Sequence, residues 1–306
     1  MANAKEGGST LDVHSAIDEA EERDAGSDSE SDVAPRSRGS NSAPRSVAPS
    51  ADVSSAGRGI HNVVTIALRE LRSYFDSLVA YVVLGGSMFA LGALFFADLP
   101  LSASFWRIDR ASMAHMFEFL PFLLGGLVIP LVTMRSVAEE RRSGTLELLI
   151  TMPVRDSEVI LGKYLGAVAM VLILFVATLI YPIAMFKWPW NIGSLDWGPV
   201  SAGYLGLVLY ALAGVAIGLF FSAITESQII AFFTTMLTLG FLHGTGYFVD
   251  RLHGWLGDAL AFVSFGSHFS GFERGLIESK SVVYFLSIAV LFLLLAFRSL
   301  ESRKWK

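Results

Sequence analysis

Residues 135–163 read RSVAEERRSGTLELLITMPVRDSEVILGK. The stretch is charged and amphipathic, and it lies between two long apolar runs, residues 119–134 and 164–186. It sets Arg135, Arg141, Arg142, Arg155 and Lys163 against Glu139, Glu140, Glu147, Asp156 and Glu158. Gly144 opens a turn, Leu146, Leu148 and Leu149 supply a small apolar face, and Pro153 ends it. Asp156 and Ser157 are suited to cap the next helix, with Glu158 in its first turn, where the helix dipole favours a negative charge. The pattern predicts a short helix over 144–150, laid across the end of a hairpin of membrane helices and facing the cytoplasm.

Outward from this insert, the chain is built of apolar runs. It has 306 residues, 53% hydrophobic and 17% charged, with a mean hydropathy of +0.54. A soluble chain carries about 25% charged residues. The shortfall is concentrated in long uncharged segments, which places the chain in the membrane class. Six such segments are expected to span: residues 78–96, 119–134, 164–186, 203–224, 229–248 and 282–297. A span needs about 20 residues. The second and sixth are therefore expected to recruit flanking residues, the second outward through 113–118. The fold class is an all-α membrane protein with six transmembrane helices.

Lys and Arg in short loops set the orientation. The segment before the first span holds Arg58, Arg69 and Arg72, and the insert at 135–163 holds five basic residues. The last span is followed by Arg298, Arg303, Lys304 and Lys306. The loop at 97–112 has only Arg107 and Arg110, and that at 187–202 only Lys187 beside Trp188, Trp190 and Trp197. Both termini read as cytoplasmic, in a multi-pass protein of the cytoplasmic (inner) membrane. The lipid bilayer is its first partner.

Two domains are expected. Residues 1–59 hold 11 acidic and 6 basic side chains, the whole net charge of −5, which leaves 17 of each sign in 60–306. This tail is poor in aromatics and rich in Ser, Ala, Gly and Pro, so it cannot offset its ordering entropy by burial and reads as disordered. Its first residues lack the basic region and apolar core of a signal peptide. Residues 60–306 form the six-span domain, and its amphipathic first stretch, 60–77, reads as an interfacial helix lying in the headgroup region. Residues 248–281 mix Asp250, Arg251, His253, Asp258, His268, Glu273 and Arg274 with apolar side chains. They fit either two short helices dipping into the outer leaflet or a plain outside loop.

Much chemistry is excluded by residues that are missing. There is no cysteine, so thiolate zinc sites and disulfides are ruled out. No GxxxxGK[ST] phosphate loop, HExxH or GxSxG occurs. The chain is thus expected to be no enzyme and to bind no cofactor or metal itself. Nothing in the charge balance argues for nucleic acid. Ionisable groups within spans mark function by default. His115 and Glu118, three apart on one helix face, and His243 are the candidates for lining a pathway. Gly214-x-x-x-Gly218 has helix-contact spacing, for packing within one bundle or for a dimer face. Pro121, Pro130 and Pro182 are expected to kink their spans.

The insert resembles the cytoplasmic loop of ABC-2-type transporter permeases. The matching residues are Pro130, Thr133-Met134-Arg135, Glu139-Glu140, Ser143 through Leu149, Pro153-Val154 and Gly162-Lys163. The overall look is closest to permeases of the gliding-motility and copper-nitrous-oxide-maturation type. The resemblance implies that the loop is a coupling helix docking on an ABC ATPase subunit, through Glu139, Glu140, Arg141, Gly144, Thr145, Leu146, Glu147, Leu148, Leu149 and Pro153. It implies short re-entrant helices before the last span. It also implies ATP and Mg in the partner subunit, two ATPase copies, and a homodimer or a pair with a related permease. An accessory membrane or extracytoplasmic protein is a further expected partner. The expected function is export driven by that ATPase. A non-transporting scaffold and a secondary carrier are the alternatives.

Overall fold

The computed structural model describes residues 53–96, 113–142, 156–186, 196–249, 251 and 254–301. Among them every regular element is a helix and there is no strand. Most of the tail expected over 1–59, the loop at 97–112 and the helix expected over 144–150 lie outside the described residues.

Helix α1 (Val53–Phe75) begins ahead of the start expected at Ile60. It is amphipathic and meets α2 (Leu78–Phe96) at a bend of 72°. Next come α3 (Ala114–Leu123), a π-helical turn at Leu124–Val128, α4 (Ile129–Thr133) and α5 (Ala138–Arg142). They run together as one candidate span, Met116–Arg142. The second span thus reaches both outward and inward of 119–134, and Arg135–Glu139 lies on its continuation. Helices α6 (Asp156–Thr178) and α7 (Ile180–Phe186) form the third; Asp156, read as a cap, is the first helical residue, and Glu158 lies in the first turn as expected. Helix α8 (Trp197–Ile224) and α9 (Gln228–Gly244) follow, with α10 (Gly246–Val249) extending the latter. Two nine-residue helices, α11 (Trp255–Val263) and α12 (Phe265–Glu273), precede the last helix, α13 (Ser279–Glu301). Five helices are long and apolar enough to cross a membrane, and the bent α1–α2 pair brings the number to six.

Prolines account for two of the breaks. Pro182 offers no N–H to the carbonyl four residues back, and the third span breaks there, between Thr178 and Ile180. Pro130 follows the π-turn, where the Ile129 N–H reaches back to Leu124 O, and Gly125 and Gly126 ease the widened turn.

Helix α8 is the inner column. Its apolar window is 72% buried, against 22% for α13. Glycines let neighbours reach its backbone. A Cβ at Gly206 would lie 2.7 Å from Phe272 Cβ, one at Gly214 2.6 Å from Ile129 Cδ1, and one at Gly218 would strike Thr133. The Gly214-x-x-x-Gly218 spacing therefore serves packing of α8 on α4 within one chain. Around this column the last helix exposes Val290, Leu291 and Leu294, an apolar surface that suits lipid. The short helices are held to α13 by His268, whose ring stacks on Tyr284 with centroids 4.0 Å apart. Tyr284 also donates its hydroxyl to Val263 O.

A second close approach joins α1 to α6. A Cβ at Gly162 would lie 2.6 Å from Ile66 Cβ, and one at Gly166 would lie 2.8 Å from Glu70 Cβ. Two glycines four apart on α6 thus form the seat of α1. Replacing either with leucine should unseat it at a cost of about 1–3 kcal/mol, the usual range for overpacking. Gly85→Leu, at a position where an added Cβ meets nothing within 4 Å, is the control. Scanning fluorimetry in detergent should show lowered Tm for Gly162→Leu and Gly166→Leu and an unchanged Tm for Gly85→Leu.

Candidate functional site

Helix α5 carries Glu139, Glu140 and Arg141, the first three residues of the expected coupling set. Gly144, Thr145, Leu146, Glu147, Leu148, Leu149 and Pro153 lie outside the described residues. A five-residue helix has no stability of its own, so its placement depends on tertiary partners. Helix α8 supplies them. The N–H groups of Val137 and Ala138 both donate to Ser222 Oγ, at 3.1 Å each. Ser222 thus acts as a helix cap delivered from another helix, since first-turn N–H groups have no partner within their own helix. Arg141 Nη1 donates to Ala223 O on the same neighbour. On the exposed side Arg135 Nε pairs with Glu139 at 3.0 Å.

The other face of α5 meets a buried cation. The Lys163 side chain is 6% exposed, and its Nζ lies 2.8 Å from a Glu140 oxygen and 3.3 Å from a Glu70 oxygen. The three residues come from α6, α5 and α1. Taking an ammonium out of water costs several kcal/mol, recovered only with close opposite charge. Tyr74 reinforces the junction: its hydroxyl donates to Val132 O at 3.0 Å and lies 3.1 Å from Ser136 Oγ. Nearer the start of α6, Asn62 Nδ2 donates to Glu158 at 3.0 Å. A polar crevice of about 150 Å³ opens beside these groups, lined by Glu70, Arg135, Glu139, Glu140 and Lys163.

Sequence reasoning placed Lys163 in a motif but did not single it out, and it missed Glu70 and Ser222. Glu70 reads as one charge on an amphipathic helix, and Ser222 ends an apolar run. Their partners lie 93 and 84–85 residues away along the chain, beyond the reach of any local pattern.

Two of the three candidate pathway residues, Glu118 and His243, meet at the other end. His115 lies on α3, as does Glu118, and His243 lies near the end of α9. Glu118 and His243 line a polar cavity of about 420 Å³ with Tyr247, Ser267, Glu273 and Arg274. His243 also lines a second, apolar cavity of about 600 Å³ between the α3–π-turn segment and α9. Tyr210 of α8 closes the back of that cleft. Its ring meets those of His243, Phe265 and Phe269 edge to face at 5.3–6.2 Å. Only Gly125 permits this, since a Cβ there would lie 2.8 Å from the Tyr210 oxygen. Burial and the neighbouring Glu118 carboxylate push Glu273 up to about 7, with Arg274 opposing.

Among the described residues no group of three or more His, Asp or Glu could hold a metal ion. The arrangement is one of packing and cavities. It offers a tethered helix at one end and two adjoining cavities at the other.

Comparison with known proteins fits this architecture. Residues 112–298, more than half of the chain, match the family model described as ABC-2 family transporter protein. A stretch of 131 residues, 42% of the chain, is 30% identical to a protein of Escherichia coli K12 named as a probable multidrug ABC transporter permease, YbhR. The counterpart in Escherichia coli O157:H7 matches equally. The aligned part covers 34% of those relatives' length. An all-helical body with five to six candidate membrane-spanning helices and a family match across α3 to α13 lead to one conclusion: the chain belongs to the ABC-2 transporter family, as a multi-pass membrane component.

Proposed function

We propose that the chain is the permease subunit of an ATP-driven exporter in the cytoplasmic membrane, with hydrolysis carried out by a separate ABC ATPase. The reading is supported most by one observation. The end of the second span is bound at once to α1, α6 and α8, through Lys163 and Ser222. A force applied to the adjoining segment 143–155 would therefore reach three further helices. Two permease chains, alike or related, would frame the pathway over two ATPase subunits holding ATP and Mg. The segment around Gly144–Leu149 would dock on the ATPase, whose differential affinity for two permease states supplies the coupling. Helix α1 would lie in the headgroup layer on the cytoplasmic side, its exposed Ile60, Val64 and Leu68 toward lipid. Helices α11 and α12 would dip into the outer leaflet, and both termini would be cytoplasmic. His115, Glu118 and His243 would line the pathway. The multidrug name of the relatives and the apolar cleft both favour an amphipathic cargo.

Charge reversal tests the docking. Glu147→Lys changes the expected docking face alone, whereas Glu140→Lys also breaks the pair with Lys163. Like charges brought together at an interface cost several kcal/mol, about a hundred-fold or more in affinity. Glu147→Lys should therefore abolish permease-stimulated ATP hydrolysis while the protein still reaches the membrane. Full stimulation in this variant, measured with the partner reconstituted in vesicles, would exclude the loop as the docking element. A scaffold would hold the ATPase yet show no cargo-dependent hydrolysis in the unmodified complex.

The ion cluster makes a separate forecast. Lys163→Met leaves Glu70 and Glu140 facing each other without their cation, which should cost about 3–5 kcal/mol for a buried pair broken on one side. The triple change Lys163→Met, Glu70→Gln, Glu140→Gln should recover much of that loss. Melting temperatures in detergent read this directly, and equal values for the single and triple variants would mean that the charges are not coupled.

Topology is the third test. Reporter fusions after Ser143, Glu226 and Lys306 should report cytoplasm, and those after Pro100, Gly193 and Gly257 the outside. A cytoplasmic report at Gly193 or Gly257 would overturn the six-span arrangement.

A further inference from the structure

We infer that the two cavities meeting at His243 form one binding site for an amphipathic organic cation, its charge held between Glu118 and Glu273 and its apolar body in the cleft between α3 and α9. The inference rests on the exporter reading and names the class of molecule that this site takes.

Three observations carry it. Neither Glu118 nor Glu273 forms an ion pair or hydrogen bond with another described residue, although both line the same chamber. Arg274 is the one cation lining it among the described residues, so the chamber stays acidic when both carboxylates are ionised. His243 is 7% exposed and Tyr210 fully buried, yet His243 Nδ1 and the Tyr210 hydroxyl have no hydrogen-bond partner among the described residues. Buried polar atoms of this kind are uncommon, and a ligand is one way to satisfy them. Both side chains line the apolar cleft, whose wall includes Phe122 and Phe241, exposed by 60% and 65%. The cavities, about 600 and 420 Å³, are of the size that holds a drug-sized molecule. A neutral hydrophobe would leave the carboxylates unused, and an anion would meet them as like charges.

The test uses two probes of one shape and opposite charge. Tetraphenylphosphonium and tetraphenylborate are titrated against the full chain in nanodiscs, with empty nanodiscs subtracted. The cation should bind at least ten-fold more tightly than the anion. Glu118→Gln with Glu273→Gln should weaken cation binding at least ten-fold, whereas Glu118→Asp with Glu273→Asp should keep it. Cation binding should also be tighter at pH 8 than at pH 6, because the Glu273 carboxyl, beside Glu118 and Arg274, takes up a proton as the pH falls across that interval. The Gln variant should lose most of this dependence. Equal binding of both probes to the unmodified protein would overturn the inference without any variant. So would cation binding that survives the Gln changes in protein shown to be folded by size exclusion and Tm. The exporter reading is judged separately: cation-selective binding without stimulation of any ABC ATPase would leave the site standing and remove the exporter. ATPase stimulation without cation preference would do the reverse.

Discussion

Lys163 sits where three helices converge, and its charge cannot remain there alone. Desolvation costs an ammonium several kcal/mol, and the cost is met here by carboxylates delivered from two other helices. Because Glu70 belongs to α1 and Glu140 to α5, neither helix can leave α6 without removing one of the two carboxylates that hold the cation. The glycines at 162 and 166 make the arrangement possible, by letting Ile66 and the Glu70 stem close on the α6 backbone. The short α5 inherits its position from this contact and from Ser222. Electrostatics and close packing thus act on the same few residues.

The centre of the molecule follows a different rule. Helix α8 is buried nearly all round, and its neighbours are admitted by missing side chains at Gly203, Gly206, Gly214 and Gly218. In lipid, association has no hydrophobic driving force, so close van der Waals packing carries more of the burden. Aromatic rings from α12 and α13 then fill the outer half around Tyr210, with Phe265 and Phe285 5.2 Å apart. The result is a dense column with two cavities at one flank.

Long uncharged runs made the spans legible in advance, and the start of α6 near Asp156 was legible as well, whereas the two short helices after residue 250 stood as one of two readings. Those features are local, and each is encoded within about twenty consecutive residues. The start of α1 was misplaced, because Val53–Gly59 has no apolar periodicity and reads as more of the tail. The buried state of Lys163 was hidden for the opposite reason. It stands in a charged stretch, where a solvated face is the ordinary inference, and only tertiary contact with Glu70 reverses it. His243 and Glu118 could be singled out because an ionisable group in an apolar run is conspicuous. The cleft joining His243 to Tyr210 could not, since it depends on the space left by Gly125 and on how three helices lean.

The π-turn at Leu124–Val128 has a rotational consequence. An α-helix advances about 100° per residue, so one extra residue in a turn swings everything beyond it to a new azimuth. The outer half of this span, with Glu118, is therefore aimed independently of the inner half, with Thr133 and Arg135. Two rods joined by a slack coupling can satisfy two unrelated surroundings: an ion-paired junction at one end and a ligand-sized chamber at the other. A continuous α-helix would have fixed both bearings together, and a residue gained or lost on one side would have misdirected the other.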